Sequence, residues 1–511
     1  METKSRVVAV LAIGSTSIRV LVAELSPKGP WQVLDKAGKP ITLGRDVFTS
    51  GQVSRESLLE CLSVLRYFRE LLAGWGILDE DIYALATSAL RVARNRDVFV
   101  DRVRLATGFK IVIVEGIEEN RLIYLAVRFA LKQDFSPFWE DNTMIIDIGG
   151  GATEIMLLER GKMAAAHSLH LGTLLMEQQS RLAVGSAWSK RYLRERIRHT
   201  AASLSAEVNL AHIKSFVAVG SDTRIAAALI GTELNEHCRI ISREAFMALV
   251  RQVQYYSTEV CVQKLHIPYA EAEGLVLGLL VYKQFLEHTS ASQVVVPDVS
   301  LREGLLIDLA LGVEPKLQEE FFSQIIASAA NLGRKYHYDQ AHNRYVADLC
   351  LFLFDALGPE HGMNRRERMM LEVSALLHDI GMFIRGENHH KHGQYIVVNS
   401  EIFGLRRDEL EIIANVIRYH RGAPPSSGDI DYIALQRADR NLVLKMASLL
   451  RVADALDRGH TQQISLLQVE RKSEVLVLHT VGNRDLSLEL RGLEEKAGLF
   501  QDVFGYTVLL V

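Results

Sequence analysis

With 511 residues, 48% of them hydrophobic and 23% charged, the chain has ordinary globular composition but is too long for a single core, and three or four domains are expected. A net charge of −4, from 58 Lys+Arg against 62 Asp+Glu, excludes the global basic field of a nucleic-acid-binding chain, so any polyanionic ligand must meet local cations. No run of about 18 apolar residues argues for a membrane span, and the four scattered cysteines (Cys61, Cys238, Cys261, Cys350) lack metal or redox spacing and read as free thiols.

The N-terminal METKSRVVAVLAIGSTS runs straight into a strand pattern without a small-residue cleavage site, which reads as a mature cytoplasmic start. Strand-like runs follow in RVVAVLAI, IRVLVAEL, DIYALAT, KIVIVEG, MIIDIG, EIMLLER and SFVAVGS. They alternate with amphipathic helices such as RESLLECLSVLRYFRELLAGWG, EENRLIYLAVRFAL and REAFMALVRQVQYY, an α/β pattern. Two strand pairs are joined by glycine turns, VVAVLAIGSTSIRVLVAELS and TMIIDIGGGATEIMLLERGK. Their recurrence predicts two similar α/β lobes, residues 1–136 and 137–312, facing each other across a cleft and meeting near FWEDNTM. Residues 313–460 lose the strand pattern and read as a helical domain; 461–511 return to short strands in a small α/β domain.

DIGGGATE is neither G-x-x-x-x-G-K-[ST] nor G-x-G-x-x-G, and a strand rather than a helix follows it. Its small residues can still expose backbone amides to phosphate oxygens, with Asp147 and Glu154 supplying a hard-cation ligand and a water-orienting carboxylate. Between the two turns, TSALRVARNRDVF offers Arg91, Arg94 and Asn95, and EGIEENRLIYLAV opens a helix with Glu118 and Glu119. An arginine suits a polyanion, and a carboxylate at a cleft mouth can take a proton from attacking water.

Together TSALRVARNRDVF, EGIEENRLIYLAV, IDIGGGATEI, SLHLGTLLMEQ and LREGLL resemble the exopolyphosphatase / guanosine pentaphosphate phosphatase family, in that family's order and across essentially the whole chain. The resemblance implies two lobes of the actin-like ATPase and sugar kinase fold, then an HD-type helical domain and a small C-terminal domain. It implies a Mg²⁺-dependent hydrolase that removes terminal phosphate from inorganic polyphosphate or guanosine pentaphosphate, and a homodimer with no nucleic-acid or membrane partner. On this reading Glu119 is the general base, and Asp147 and Glu154 organise Mg²⁺ and the nucleophile. The amides of Gly149, Gly150 and Gly151 hold the terminal phosphate, Arg91 binds the polyanion and Gly172 lines the cleft. In the first loop Gly14, Ser15, Thr16 and Ser17 add amides and hydroxyls.

Two departures stand out. The family's first loop reads Asp-x-Gly-Ser-Asn-Ser, whereas here Ala12 and Thr16 replace the acid and the asparagine. In VAVGSDTRIAAAL, Ser221 and Asp222 stand where paired glycines are expected, and an acid there opposes a nearby phosphate. These departures raise a second reading, a polyphosphate or alarmone sensor with weak turnover.

The helical domain resembles the HD phosphohydrolase pattern through His342, His378, Asp379, His392, His420 and Asp454. Such histidines and carboxylates, converging from separate helices, suit Mn²⁺, Fe, Zn²⁺ or Mg²⁺, and a third reading places metal-dependent phosphohydrolase chemistry there. The HHKH run, residues 389–392, also offers donors to a phosphate chain without a metal.

Overall fold

A computed structural model describes residues 5–25, 31–131, 135–181, 186–205, 208–311, 315–464, 466–480 and 485–511. The first residues of the expected cytoplasmic start and the boundary expected at 312/313 lie outside the described residues. The chain forms two compact units, Met1–Phe321 and Phe322–Val511. Among the described residues no helix is long and apolar enough to cross a membrane.

The first unit contains two sheets. Strands β1 (Arg6–Ile13), β2 (Ser17–Leu25), β3 (Gln32–Pro40), β4 (Ile82–Ala86) and β5 (Ile111–Ile113) lie in the order β3-β2-β1-β4-β5. β1 is apolar from Val7 to Ile13 because both of its faces are covered there. Ala9, Leu11 and Ile13 point into one core with Leu65 and Phe68 of helix α1 (Arg55–Gly74), while Val8 and Val10 point to the other face, where Leu306 packs. Ser54 starts α1 by accepting the Ser57 amide.

The second sheet is built from β6 (Thr143–Ile148), β7 (Thr153–Glu159), β8 (Lys162–Leu169), β9 (Ser215–Val219), β10 (Thr232–Asn235), β11 (Cys238–Ser242) and β12 (Gln293–Pro297). Their order is β10-β11-β12-β9-β6-β7-β8, with β6 antiparallel to β7 and parallel to β9. Its core joins Ile146, Ile155, Phe216 and Ala218 to Phe285. Helices α2 (Gly116–Leu131), α3 (Ser221–Ile230) and α4 (Leu275–Glu287) flank the sheets. Helix α5 (Leu301–Leu311), which carries the LREGLL motif, lies on α2 so closely that a Cβ at Gly304 would sit 2.1 Å from the Leu122 carbonyl. It thereby returns Leu306 to the first sheet.

The second unit is helical, with α6 (Gln340–Ala356), α7 (Arg365–Leu377), α8 (His389–Val398), α9 (Arg407–Tyr419), α10 (Arg437–Ala455) and α11 (Ser487–Lys496). A small sheet, β13 (Leu466–Lys472), β14 (Val475–Thr480) and β15 (Thr507–Leu510), completes it. Asn364 and Glu367 form a reciprocal capping box on α7, which fixes where that helix begins and so the phase of His378 at its end.

Candidate functional site

The two glycine hairpins are built alike. The Gly14 amide donates to the Ser17 carbonyl at 3.0 Å, and the Gly149 amide donates to the Ala152 carbonyl at 2.9 Å. Both turns give their carbonyls to their own lobe. Ser15 and Thr16 accept from Gly44 and Ile41 at 2.8 and 2.9 Å, and Gly149 and Gly150 accept from Thr173 and Leu174 at 3.0 and 2.9 Å. The amides of Ser15, Thr16, Gly150 and Gly151 donate to no acceptor among the described residues, and donors left this way form an anion cradle. Of the three glycine amides expected to hold phosphate, that of Gly149 is already committed to the turn.

Gly151 and Gly172 serve packing rather than the cavity wall. A Cβ on Gly151 would meet Phe48 at 2.2 Å and Ser88 at 2.9 Å. One on Gly172 would lie 2.2 Å from the Gly151 nitrogen, so this glycine, expected to line the cleft, instead lets the next helix close on the turn from behind.

A cavity of about 230 Å³ opens between the turns, lined by Gly14, Ser15, Thr16, Ser17, Gly149 and Gly150. Glu119, Asp147 and Glu154 reach it, as do Arg19, Arg224 and Arg302. In the β6–β7 register Asp147 lies directly opposite Glu154, so both carboxylates stand on one face of the sheet. Glu119, on the first turn of α2, joins them from the first lobe.

The carboxylates differ in their surroundings. Glu154 is anchored at both oxygens, by Ser168 Oγ at 2.8 Å and by Asn120 Nδ2 at 3.3 Å. Glu119 accepts Arg91 NH1 at 2.9 Å through one oxygen. Asp147 has no hydrogen-bond donor among the described residues, and burial followed by the charge of Glu119 pushes it up to about 7. Burial also raises Glu119, against the pull of Arg91, and holds Glu154 well above the usual carboxylate range. A hard divalent cation fits this set: clustered anions destabilise one another, and Asp147 has two free oxygens to offer.

Arg91, expected on the polyanion, is held behind the carboxylates and does not itself line the cavity. It donates to the Val114 carbonyl at 2.7 Å and to Glu119, with Glu154 3.7 Å from its second nitrogen. The cations that line the cavity are Arg19, Arg224 and Arg302, which the sequence reading passed over. Burial, then the neighbouring charges of Arg224 and Arg302, lowers Arg19 below the usual guanidinium range. Arg302 is likewise lowered by burial. The one available signal was an arginine interrupting the apolar strand IRVLVAEL. The same trio lines an adjoining cavity of about 840 Å³ with Lys36 and Lys39. Asp222, expected to repel phosphate, is buried on the first turn of α3 and pushed up to about 7 by that burial.

In the helical unit His342, His378, Asp379, His420 and Asp454 converge, and His389 joins them where His392 was expected. His389 Nε2 lies 3.1 Å from Asp379 and 3.2 Å from His420 Nε2. His392, three residues further along α8, is half-buried and outside the cluster. Two supporting residues were also missed: Asp457 accepts from His342 Nδ1 at 2.8 Å, and the buried Lys496 ammonium of α11 contacts the second oxygen of Asp454.

Two α/β lobes with paired amide turns over a carboxylate cluster have the features that phosphoryl transfer calls for. Residues 21–312 match the Ppx/GppA phosphatase family and residues 326–495 match Ppx/GppA phosphatase domain III, so the chain belongs to the Ppx/GppA phosphatase family. It is a phosphohydrolase. It is 24% identical over 489 residues to a guanosine-5'-triphosphate,3'-diphosphate pyrophosphatase of Photobacterium profundum, covering 91% of this chain and 90% of that one. A protein of the same name from Pseudoalteromonas translucida is 25% identical over 429 residues, 82% of each chain. Among solved structures, an exopolyphosphatase from Cytophaga hutchinsonii superposes with a TM-score of 0.54 at 18% identity, over 60% of this chain and 99% of that one. The Aquifex aeolicus family member gives 0.50 at 22% identity, over 61% of this chain and 99% of its own, and both likenesses support the fold alone.

Proposed function

We propose that the cleft hydrolyses the terminal phosphoanhydride bond of inorganic polyphosphate, with guanosine pentaphosphate as a related substrate. The observation that carries this reading is the cavity itself, where crowded arginines and unengaged amides face a cluster of carboxylates. Arginines crowded enough for Arg224 and Arg302 to depress Arg19 are relieved by a polyanion. The names of the relatives from Photobacterium and Cytophaga agree with a phosphoanhydride substrate.

The amides of Ser15, Thr16 and Gly150, with the hydroxyls of Thr16 and Ser17, hold the terminal phosphate, and Arg19, Arg224 and Arg302 hold the chain behind it. Glu119 keeps one oxygen on Arg91 and uses the other to take a proton from the attacking water. That water forms the new bond to phosphorus, the bridging P–O bond breaks, and the shortened chain leaves with its charge spread over the arginines. Asp147 would hold Mg²⁺ directly and Glu154, anchored by Ser168 and Asn120, would orient its outer shell; the ion would supply neutralisation of phosphate oxygens.

Glu119→Gln should abolish phosphate release from long-chain polyphosphate while the circular dichroism stays unchanged; undiminished release would remove Glu119 from this role. One observation, Ala12 in place of the first-loop acid, favours tight binding with weak turnover instead. Rapid release by the unmodified protein would end that alternative.

A further inference from the structure

The helical cluster has a feature that a single ligand set does not explain. Each of its four histidines has an acceptor as its nearest Nδ1 partner: Asp457 for His342 at 2.8 Å, the Ala375 carbonyl for His378 at 2.7 Å, the Gly386 carbonyl for His389 at 2.9 Å, nearer than Arg421 NH1 at 3.4 Å, and the Ile417 carbonyl for His420 at 2.7 Å. An oxygen that only accepts puts the proton on Nδ1, so each neutral ring presents a bare lone pair at Nε2. These lone pairs then face each other in two pairs. His342 and His378 meet at 3.3 Å, His389 and His420 at 3.2 Å. Two nitrogen lone pairs at such a distance repel, and a cation between them removes the repulsion.

Asp379 lies between the pairs. Its Oδ2 is 4.0 Å from His342 Nε2, and its Oδ1 is 3.1 Å from His389 Nε2 and 3.8 Å from His420 Nε2. Oδ1 is also 3.7 Å from His378 Nε2. Asp454 offers Oδ1 to the first pair, 3.8 and 3.9 Å from His342 and His378, because Lys496 occupies its other oxygen.

We propose that this unit holds two divalent cations side by side, one at His342, His378 and Asp454 and the other at His389 and His420, with Asp379 shared between them. Three aspartates (379, 454 and 457) set against Lys496 leave about two negative charges, so two dications turn the centre about two charges positive. Such a centre takes a phosphate-class oxyanion. The exposed His460, stacked on His342 at 3.7 Å, marks the side open to solvent.

The test is Mn²⁺ titration of the metal-free full chain carrying Asp147→Asn, which removes the free carboxylate of the cleft. Bound metal is counted by equilibrium dialysis and its coupling read by electron paramagnetic resonance. Two Mn²⁺ per chain with an exchange-coupled spectrum are expected. His389→Ala should leave one uncoupled ion, His392→Ala should keep both, and Asp379→Ala should lose the coupling and weaken both sites by about tenfold or more. Inorganic phosphate should perturb the coupled spectrum, and indifference to it would refute the oxyanion assignment. One ion or none per chain, an uncoupled spectrum, or coupling retained in His389→Ala would overturn the two-cation centre. Circular dichroism checks each variant, and if one unfolds, the count and coupling in the Asp147→Asn chain decide alone. Comparison with the chain that keeps Asp147 reports the cleft ion separately.

Discussion

At Ala12 the two hairpins part ways. In the β1–β2 register Ala12 lies directly opposite Arg19, at the position where β6–β7 sets Asp147 opposite Glu154. The first hairpin thus exchanges a pair of acids for a cation with an alanine opposite it, which on the proposed reading suits it to the polyanion rather than the hard cation. Arg19→Ala should raise KM for polyphosphate by about tenfold, as the loss of one charge-assisted contact of roughly 1.5 kcal/mol predicts, with a smaller change in kcat. Steady-state kinetics at fixed Mg²⁺ check it. Asp147 sets the pH dependence. Its carboxyl, raised to about 7 mainly by burial, is protonated in the metal-free protein below that pH, and Mg²⁺ must displace the proton. Apparent Mg²⁺ affinity should therefore climb by up to about tenfold per pH unit toward 7 and level off above it, as calorimetric titration would show. The same shift bears on stability. A raised acid favours the folded state only while protonated, so that contribution is complete below the unfolded pKa and is lost as pH rises through about 7. Metal-free Asp147→Asn should accordingly melt above the unmodified protein near pH 8 and level with it near pH 4, with Mg²⁺ erasing the difference at the higher pH.

The strand–turn–strand elements were legible in the sequence because their apolar runs and glycines carry a local signal that marks Asp147 and Glu154, whereas Glu119, on a helix beside Glu118, was singled out only by the family resemblance. How the turns are held was not legible, since their carbonyls accept from amides as distant as Gly44 and Thr173. Arg91 shows the same limit: the motif marks it, but only the structure shows its guanidinium bonded to the Val114 carbonyl and to Glu119. On α8 the sequence supplied four candidate residues in HHKH without a phase. The helix begins at His389, after Asn388 in the left-handed region at φ 58°, and this puts His389 inward and His392 nearly a turn beyond the cluster. Gly172 is the element-level test of the turn. A methyl group there would collide with the Gly150–Gly151 peptide, so Gly172→Ala should cut phosphate release by at least about tenfold through displacement of the amides, with the overall fold retained. Unchanged kinetics in a well-folded variant would show that the turn tolerates the shift.

On the scale of the molecule, the chain carries two clusters of chemistry in two compact units. Every residue assigned to polyphosphate hydrolysis, from Gly14 to Arg302, lies within Met1–Phe321, as do the cores that seal the two sheets. The helix that closes the first sheet, α5, comes from the end of this unit, so the lobes cannot be separated near residue 136 without uncovering Val8 and Val10. Among the described residues, every side chain that lines the cleft belongs to this unit. A fragment ending at Phe321 should therefore fold cooperatively and release phosphate from short polyphosphate with a kcat within about threefold of the full chain, since its carboxylates, amides and arginines are all retained. Its KM for long chains is the informative quantity. If the second unit contributes only its own centre, KM stays unchanged; a rise confined to long chains would show that the substrate also engages Phe322–Val511. A fragment that folds, binds Mg²⁺ and releases no phosphate would mean that the carboxylate and amide set described above is incomplete.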